Sequence, residues 1–446
     1  MGLTLVQRSS GHRPPREPKI ALVLAGGAVT GGAFKVGGLK ALDECLVGRK
    51  VNDLDIYVGL SAGAFLATSL ASGITPDEMI GALEGTSTRL SQLRPIDFYY
   101  PNLGEMLSRP AVFSARLAAY LPGLLLDLVS VLPELPNRLG GRVRQFLEMP
   151  SYTHLESLLM QLFQEVSPKR QIPSLDSLWP SGLFENSPLE RWLANNMAAV
   201  EMPNRFAELY RETGRRLFIT ATNLDTAERV VFGPDNDHGL TISEAVQASS
   251  ALPGFFKPAR LNGVDYVDGG VRRTANIDVA IEHGADLVIC YNPFRPFLNL
   301  PQREGGRRSY LADRGFNAVL NQVFRTLLHT RLSLGLQTYL HDDRFRGDIV
   351  VIEARETDEQ FFAVGPLAFW KRADAVRHGF ESVRSTLLDH AEVLQPLFES
   401  YGLELRPSAE PESVEEAQPE PAPTAEDAQA DTARGRMRLI RGQRSQ

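Results

Sequence analysis

The chain has 446 residues and only two cysteines, Cys45 and Cys290. That excludes a disulfide scaffold and suits a reducing compartment. Long apolar runs are also missing. The most apolar stretch, residues 121–132, contains Asp127 and falls well short of the roughly 20 residues needed to cross a bilayer. The first 18 residues carry Arg8, Arg13 and Arg16 without an apolar core, so no secretory signal is read there and the cytoplasm is the expected location. The eight histidines show neither H-x-x-x-H nor H-E-x-x-H spacing, so neither a metal nor another cofactor is expected. There is no excess of positive charge. With 47 basic and 54 acidic residues the net charge is -7, which argues against a dedicated nucleic-acid partner.

That negative charge is unevenly placed. Residues 408–431 hold eight acidic residues and no basic one, whereas residues 432–446 hold five arginines and no acid. The body of the chain is therefore only mildly negative. The last 40 or so residues, from about position 407, are rich in Glu, Pro and Ala, a composition that cannot bury enough apolar surface to fold. They are expected to be a disordered tail, acidic and then Arg-rich, with its arginines solvated. Residues 1–18 are expected to be a flexible arm.

Between these ends the hydrophobic fraction is that of a globular protein. Residues 19–24 (KIALVL) form a short run rich in branched side chains, as a buried strand requires. A glycine-rich loop follows over 25–32, then helical spacing over 33–46 with Phe34, Leu39, Leu42 and Leu46 on one face. A second strand is expected at 55–58 and a second helix at 64–71. Strand–turn–helix repeated in this way is the pattern of an α/β sheet. Residues 92–215 differ, being rich in Leu and punctuated by Pro110, Pro122, Pro133, Pro136 and Pro150. They read as an insertion of short helices broken by prolines. The strand pattern resumes at 216–223 and 229–232, with a short helix at 243–250 and further strands at 259–267 and 286–291. A long helix is expected over 316–340 and is read as structural, followed by a strand at 348–353 and helices over 370–400.

Three motifs carry chemistry. Gly59-Leu60-Ser61-Ala62-Gly63 fits G-x-S-x-G between an expected strand and an expected helix, the setting of a nucleophile elbow. The turn lifts the serine hydroxyl out of the sheet, and Gly59 and Gly63 let neighbouring backbone come close. Gly26-Gly27-Ala28-Val29-Thr30-Gly31-Gly32 directly follows the first strand, so its consecutive N–H groups at a helix start form a cradle for an oxyanion or a phosphate. It lacks the lysine of a P-loop, and a nucleotide-binding loop is the minor reading. Asp268-Gly269-Gly270 ends a strand. Alone it reads as a turn, but beside the other two motifs it is the best candidate for a base.

Order, spacing and flanking residues together resemble the patatin-like phospholipase family, over about 19–92 and 215–295. Ala248-Ser249-Ser250-Ala251-Leu252-Pro253-Gly254-Phe255-Phe256 resembles the family's segment before the aspartate strand, and Thr220-Ala221-Thr222-Asn223 with Val230-Val231-Phe232 its central hairpin. The resemblance implies a three-layer α/β/α sandwich with a largely parallel central sheet and a helical insertion. It implies a catalytic domain over 19–300, with the insertion at about 92–215, and a helical C-terminal extension over 301–406 packed on the core. It further implies a lipid acyl hydrolase using a Ser61–Asp268 dyad, with the oxyanion held by Gly26, Gly27 and Ala28 and the motifs supported by Gly31, Gly59, Gly63, Gly269 and Gly270. The expected partner is a lipid or phospholipid, with peripheral contact at a membrane surface. The chain departs from the family loop in having Ala28 for the third glycine and Thr30 for the basic residue, with Lys35 as a candidate positive charge nearby. It also lacks the proline of Asn-x-Pro after the aspartate, having Asn276-Ile277-Asp278. Two rival readings stay open: a Ser-His-Asp triad using His283 or His329, and a catalytically silent lipid-binding scaffold. The leucines of 121–132 suit either a lid over the acyl cleft or packing against the domain.

Overall fold

A computed structural model describes residues 2–8, 16–131, 133, 135–166, 174–299, 303–304, 307–308, 310–342 and 345–406. The expected tail beyond 406 lies outside these residues. The compact unit runs to Leu405.

Nine strands build the central sheet: β1 (Leu3–Gln7), β2 (Ile20–Leu24), β3 (Ile56–Gly59), β4 (Arg216–Asn223), β5 (Arg229–Phe232), β6 (Ala259–Leu261), β7 (Val264–Asp268), β8 (Leu287–Asn292) and β9 (Asp348–Glu353). Their order is β1-β9-β8-β2-β3-β4-β7-β6, with β5 also pairing β4. The five strands from β9 to β4 run parallel. The antiparallel pairs lie outside them, β1 on β9 at one side and β5, β7 and β6 at the other. Central parallel strands are covered on both faces, which is why IALVL (Ile20–Leu24) is apolar throughout rather than alternating. Successive residues serve opposite cores: Ile20, Leu22 and Leu24 pack on one side of the sheet, Ala21 and Val23 on the other.

The first side is covered by α1 (Ala28–Cys45), α2 (Ala62–Ala71), α3 (Pro76–Glu84) and, from far along the chain, α10 (Arg372–Asp389). Helices α1 and α10 meet at glycines. A Cβ on Gly37 would fall 1.8 Å from the Val376 carbonyl oxygen, and one on Gly379 would fall 1.9 Å from that of Phe34. The long helix α9 (Phe316–Leu340) covers part of the second side with Leu332 and Leu336. Helices therefore lie on both faces of a mostly parallel sheet.

Residues 92–215, after α3 and before β4, hold α4 (Leu103–Val131), α5 (Leu135–Glu148), α6 (Tyr152–Val166) and α7 (Ser187–Ala199). Of these four, and among the described residues, α7 is the one anchored in the main core, through Leu189, Trp192, Leu193 and Met197. A short helix, α8 (Ile242–Ser249), is started by Thr241, whose hydroxyl accepts from the Glu244 N–H while the Glu244 carboxylate accepts from the Thr241 N–H.

Three expectations are corrected. Residues 3–7 are not part of a flexible arm but an edge strand, paired from Leu3↔Ile352 to Gln7↔Asp348 of β9, which is remote in sequence; their apolar Leu3 and Val6 are buried in the cores on the two faces of the sheet. Pro110 and Pro122 do not break a helix: both lie inside the 29-residue α4. Both are exposed, so each carbonyl left without its helical partner can turn to water. Finally, 301–406 is not only a helical layer on a finished core, because β9 stands inside the sheet between β1 and β8.

Candidate active site

The sheet register brings the motifs together. Strands β2 and β3 are parallel neighbours with Leu24 opposite Gly59, so the turns that follow them emerge side by side. Gly59 is level with Ile219 of β4, and Ala221, two residues further, is paired with Asp268 of β7. Ser61, two residues beyond Gly59, is thus level with Asp268 across β4. The Ser61 hydroxyl is close enough to the Asp268 carboxylate to pull its pKa down. Both residues are nearly closed to solvent, at 5% and 3% exposed.

Ser61 has φ 54° and ψ -130°, a conformation that L-residues rarely adopt. Such strain persists only where the surroundings over-determine it, as at a nucleophile elbow. Here the Ser61 N–H donates to Ser249 Oγ at 2.8 Å, and Ser249 Oγ donates to the Thr220 carbonyl at 2.7 Å. A Cβ on Gly63 would lie 2.1 Å from the Leu24 carbonyl oxygen, so the first turn of α2 can sit on β2 only with glycine there. Gly269 meets β4 in the same way, its Cβ falling 2.3 Å from the Thr220 carbonyl oxygen.

Asp268 is fixed by the Gly270 N–H, which donates to its Oδ1 at 2.7 Å. Burial pushes its carboxyl up to about 6, against the opposing pull of Ser61, Gly270 and the Lys35 ammonium. A carboxylate tuned in this way is a stronger base than an exposed aspartate and is still ionised near neutrality.

The glycine-rich turn lies directly over the serine. A Cβ on Gly26 would fall 3.4 Å from that of Ser61. Gly27 takes φ 155° and Ala28 φ 51°, so the departure from glycine at position 28 places an L-residue in the left-handed region. The N–H groups of Gly26, Gly27 and Ala28 have no acceptor among the described residues, whereas those of Val29 and Thr30 both donate to the Pro366 carbonyl at 3.1 Å. The Thr30 hydroxyl bonds the Gly365 and Pro366 carbonyls at 3.0 and 3.1 Å, so it anchors a distant loop and brings no charge to the turn. Gly31 returns its N–H to the Gly27 carbonyl at 2.9 Å and closes the first helical turn.

From Ser61 an apolar cleft of about 1110 Å³, its open mouth included, runs between α1, α2, α3 and α7, lined by Val29, Val36, Phe65, Leu66, Met79, Leu93, Trp192 and Leu193. Neither candidate histidine joins the pair. His283 Nδ1 is 2.7 Å from the Val279 carbonyl oxygen, and His329 Nδ1 is 3.2 Å from Glu353 Oε1. No group of metal-ligating side chains occurs among the described residues. Ser249 and the inward aim of Lys35 escaped the sequence reading. Ser249 lies within the Ala248–Phe256 stretch, but nothing local to it shows that it would meet the Ser61 N–H.

An α/β/α sandwich with a serine at a strained strand–helix turn, a glycine-rich turn above it and a buried aspartate one strand away defines a patatin-like fold and site. The chain belongs to the patatin-like phospholipase family, whose sequence pattern matches residues 22–281, more than half of its length. It is also similar to the "Probable lipid hydrolase 463L" of Invertebrate iridescent virus 6, with 25% identity over 177 residues, 38% of this chain and 61% of that protein. The chain thus spans about three fifths of that relative. Among solved structures it is similar to VipD from Legionella pneumophila (17% identity, 87% of this chain and 70% of that one, TM-score 0.34). It is likewise similar to human GIVD cytosolic phospholipase A2 in complex with methyl gamma-linolenyl fluorophosphonate (11% identity, 86% and 59%, TM-score 0.32).

Proposed function

We propose that the protein is a lipid acyl hydrolase that cleaves carboxylic esters of phospholipids or related lipids through a Ser61–Asp268 dyad. The observation that carries this reading is the placement of Ser61 level with the buried Asp268, whose carboxyl it pulls down, at the head of an apolar cleft. Asp268 takes the hydroxyl proton as Ser61 Oγ attacks the ester carbonyl. The N–H groups of Gly26, Gly27 and Ala28 receive the oxyanion. As the tetrahedral centre collapses, Asp268 returns the proton to the leaving alcohol and the acyl group stays on Ser61. Water then gives a proton to Asp268 and attacks the acyl-enzyme; the fatty acid leaves and Ser61 is reprotonated. The cleft takes the acyl chain, each buried methylene contributing roughly 0.8 kcal/mol.

In this reading the catalytic domain comprises 19–300 and recruits β1 and β9 from outside those bounds. The protein works at a membrane surface from the cytoplasm, a compartment that suits its two buried free cysteines. No helix among the described residues is long and apolar enough to cross a membrane. Surface contact is supported by α9, whose inner side near the site is polar: Gln322 bonds the Phe297 backbone, Arg325 the Pro293 carbonyl, and His329 meets Glu353. Its Phe316, Val319, Val323, Phe324 and Leu327 are exposed, and the helix has no acidic residue. The test is hydrolysis of a p-nitrophenyl ester and of phospholipid vesicles by wild type and Ser61→Ala, with lipid profiles of cells carrying each. Turnover that survives in Ser61→Ala overturns the reading.

A further inference from the structure

We propose that Lys35 is the positioning residue that shapes the oxyanion hole and holds a positive charge beside Asp268; the inference rests on the dyad reading above. Lys35 lies on α1 and is wholly buried. Its ammonium donates to the carbonyl oxygens of Ala25 and, at 3.1 Å, of Gly26. A trans peptide unit is planar, and its N–H points opposite to its C=O. The Ala25 carbonyl shares a peptide plane with the Gly26 N–H, and the Gly26 carbonyl shares one with the Gly27 N–H. Tying both carbonyls to one ammonium on the inner side therefore turns both N–H groups to the outer side, where Gly26 lies against Ser61. One residue earlier the backbone has no such freedom, since the Ala25 N–H is held by the Tyr291 carbonyl at 3.1 Å.

Position and charge act together. A cation on the carbonyl end of a peptide polarises the unit and strengthens its N–H as a donor. The groups that face the ammonium are Asp268 of β7 and Cys290 of β8. Burial lowers Lys35 to about 7, and the attraction of Asp268 opposes that fall. In turn the ammonium pulls the Asp268 carboxyl down, against its own burial. Thr30, where the resembling loops carry a basic residue, is spent on the Gly365 and Pro366 carbonyls, so the charge behind this turn comes from the helix interior.

The experiment compares wild type with Lys35→Met and Lys35→Gln, using a soluble p-nitrophenyl ester and an alkyl trifluoromethyl ketone, which forms a tetrahedral oxyanion on the serine. For Lys35→Met, kcat is expected to fall roughly 100-fold or more, the scale of a lost oxyanion donor, with KM within about twofold. Affinity for the ketone should fall in parallel, and the acid limb of kcat/KM should move to higher pH because Asp268 loses its neighbouring cation. Lys35→Gln keeps N–H donors without charge, so it should retain part of the ketone affinity yet show the same displaced limb. Wild-type kcat and ketone affinity in Lys35→Met, or a loss confined to KM or to thermal stability, would overturn the proposal. If Lys35→Met does not fold, an unmoved acid limb in Lys35→Gln overturns it. Failure of the dyad reading is distinct, since it appears as turnover that survives Ser61→Ala in otherwise wild-type protein.

Discussion

Around the turns after β2, β3 and β7 the backbone is packed against backbone; along α4 large apolar side chains face water. At Gly63 and Gly269 an added Cβ would meet a carbonyl oxygen closer than 2.5 Å. On α4, by contrast, Leu117, Leu121, Leu125 and Val129 follow one i, i+4 row and are all exposed, as is Leu126. Of the leucines expected to form a patch there, the side chains of Leu124, Leu128 and Leu132 lie outside the described residues. The first region is held to one geometry by contacts from every side. The second is a helix row whose described apolar residues receive little from the rest of the protein. Rigidity is needed where atoms must react, and exposed apolar surface is useful only where something else will cover it.

Substitutions can break this contrast, and the largest effect belongs at the serine. Ser61→Ala should lower ester hydrolysis by on the order of 10⁴-fold or more while the melting temperature is kept or raised, because the strained residue loses its role but no packing. Activity assays beside thermal melts decide it. Next comes Gly63→Ala, whose Cβ would sit 2.1 Å from the Leu24 carbonyl oxygen. It should cost about 3 kcal/mol of stability, the upper part of the overpacking range, and take activity with it; denaturant titration measures this.

A smaller effect follows from pH. Asp268 must be ionised to accept the proton, and its carboxyl sits at about 6. As pH falls below that value kcat/KM should drop tenfold per unit. A limb near 4 would mean that burial does not tune the base. The smallest effect is expected on the other side of the comparison. Replacing Leu117, Leu121 and Leu125 by serine should change stability by no more than about 0.5 kcal/mol each. Turnover of a soluble ester should be unchanged, whereas binding to phospholipid vesicles, measured by sedimentation, should weaken.

Most of the strands could be read directly from the chain, because parallel strands buried on both faces need unbroken apolar runs such as residues 20–24 and 349–352. The elbow was legible for a related reason: glycine at 59 and 63 records a close approach that any other residue would block. The edge strand Leu3–Gln7 was not legible, since its pairing depends on β9 about 345 residues later. The continuity of α4 through Pro110 and Pro122 was equally hidden, as local rules make proline a stop.

Sequence by itself marked the candidate nucleophile Ser61, the turn that lifts it and the glycine-rich loop, because each is fixed by a few consecutive residues whose backbone needs only they can meet. Tertiary structure alone decided what surrounds them. It set Asp268 level with Ser61 through the register of β3, β4 and β7, and brought Ser249 to the Ser61 N–H. It also turned Lys35 from one more charge on a helix into a buried ammonium beneath the Ala25 and Gly26 carbonyls. Those relations join atoms far apart in the chain, and burial then changes their acidity and donor strength, which no local pattern of residues encodes.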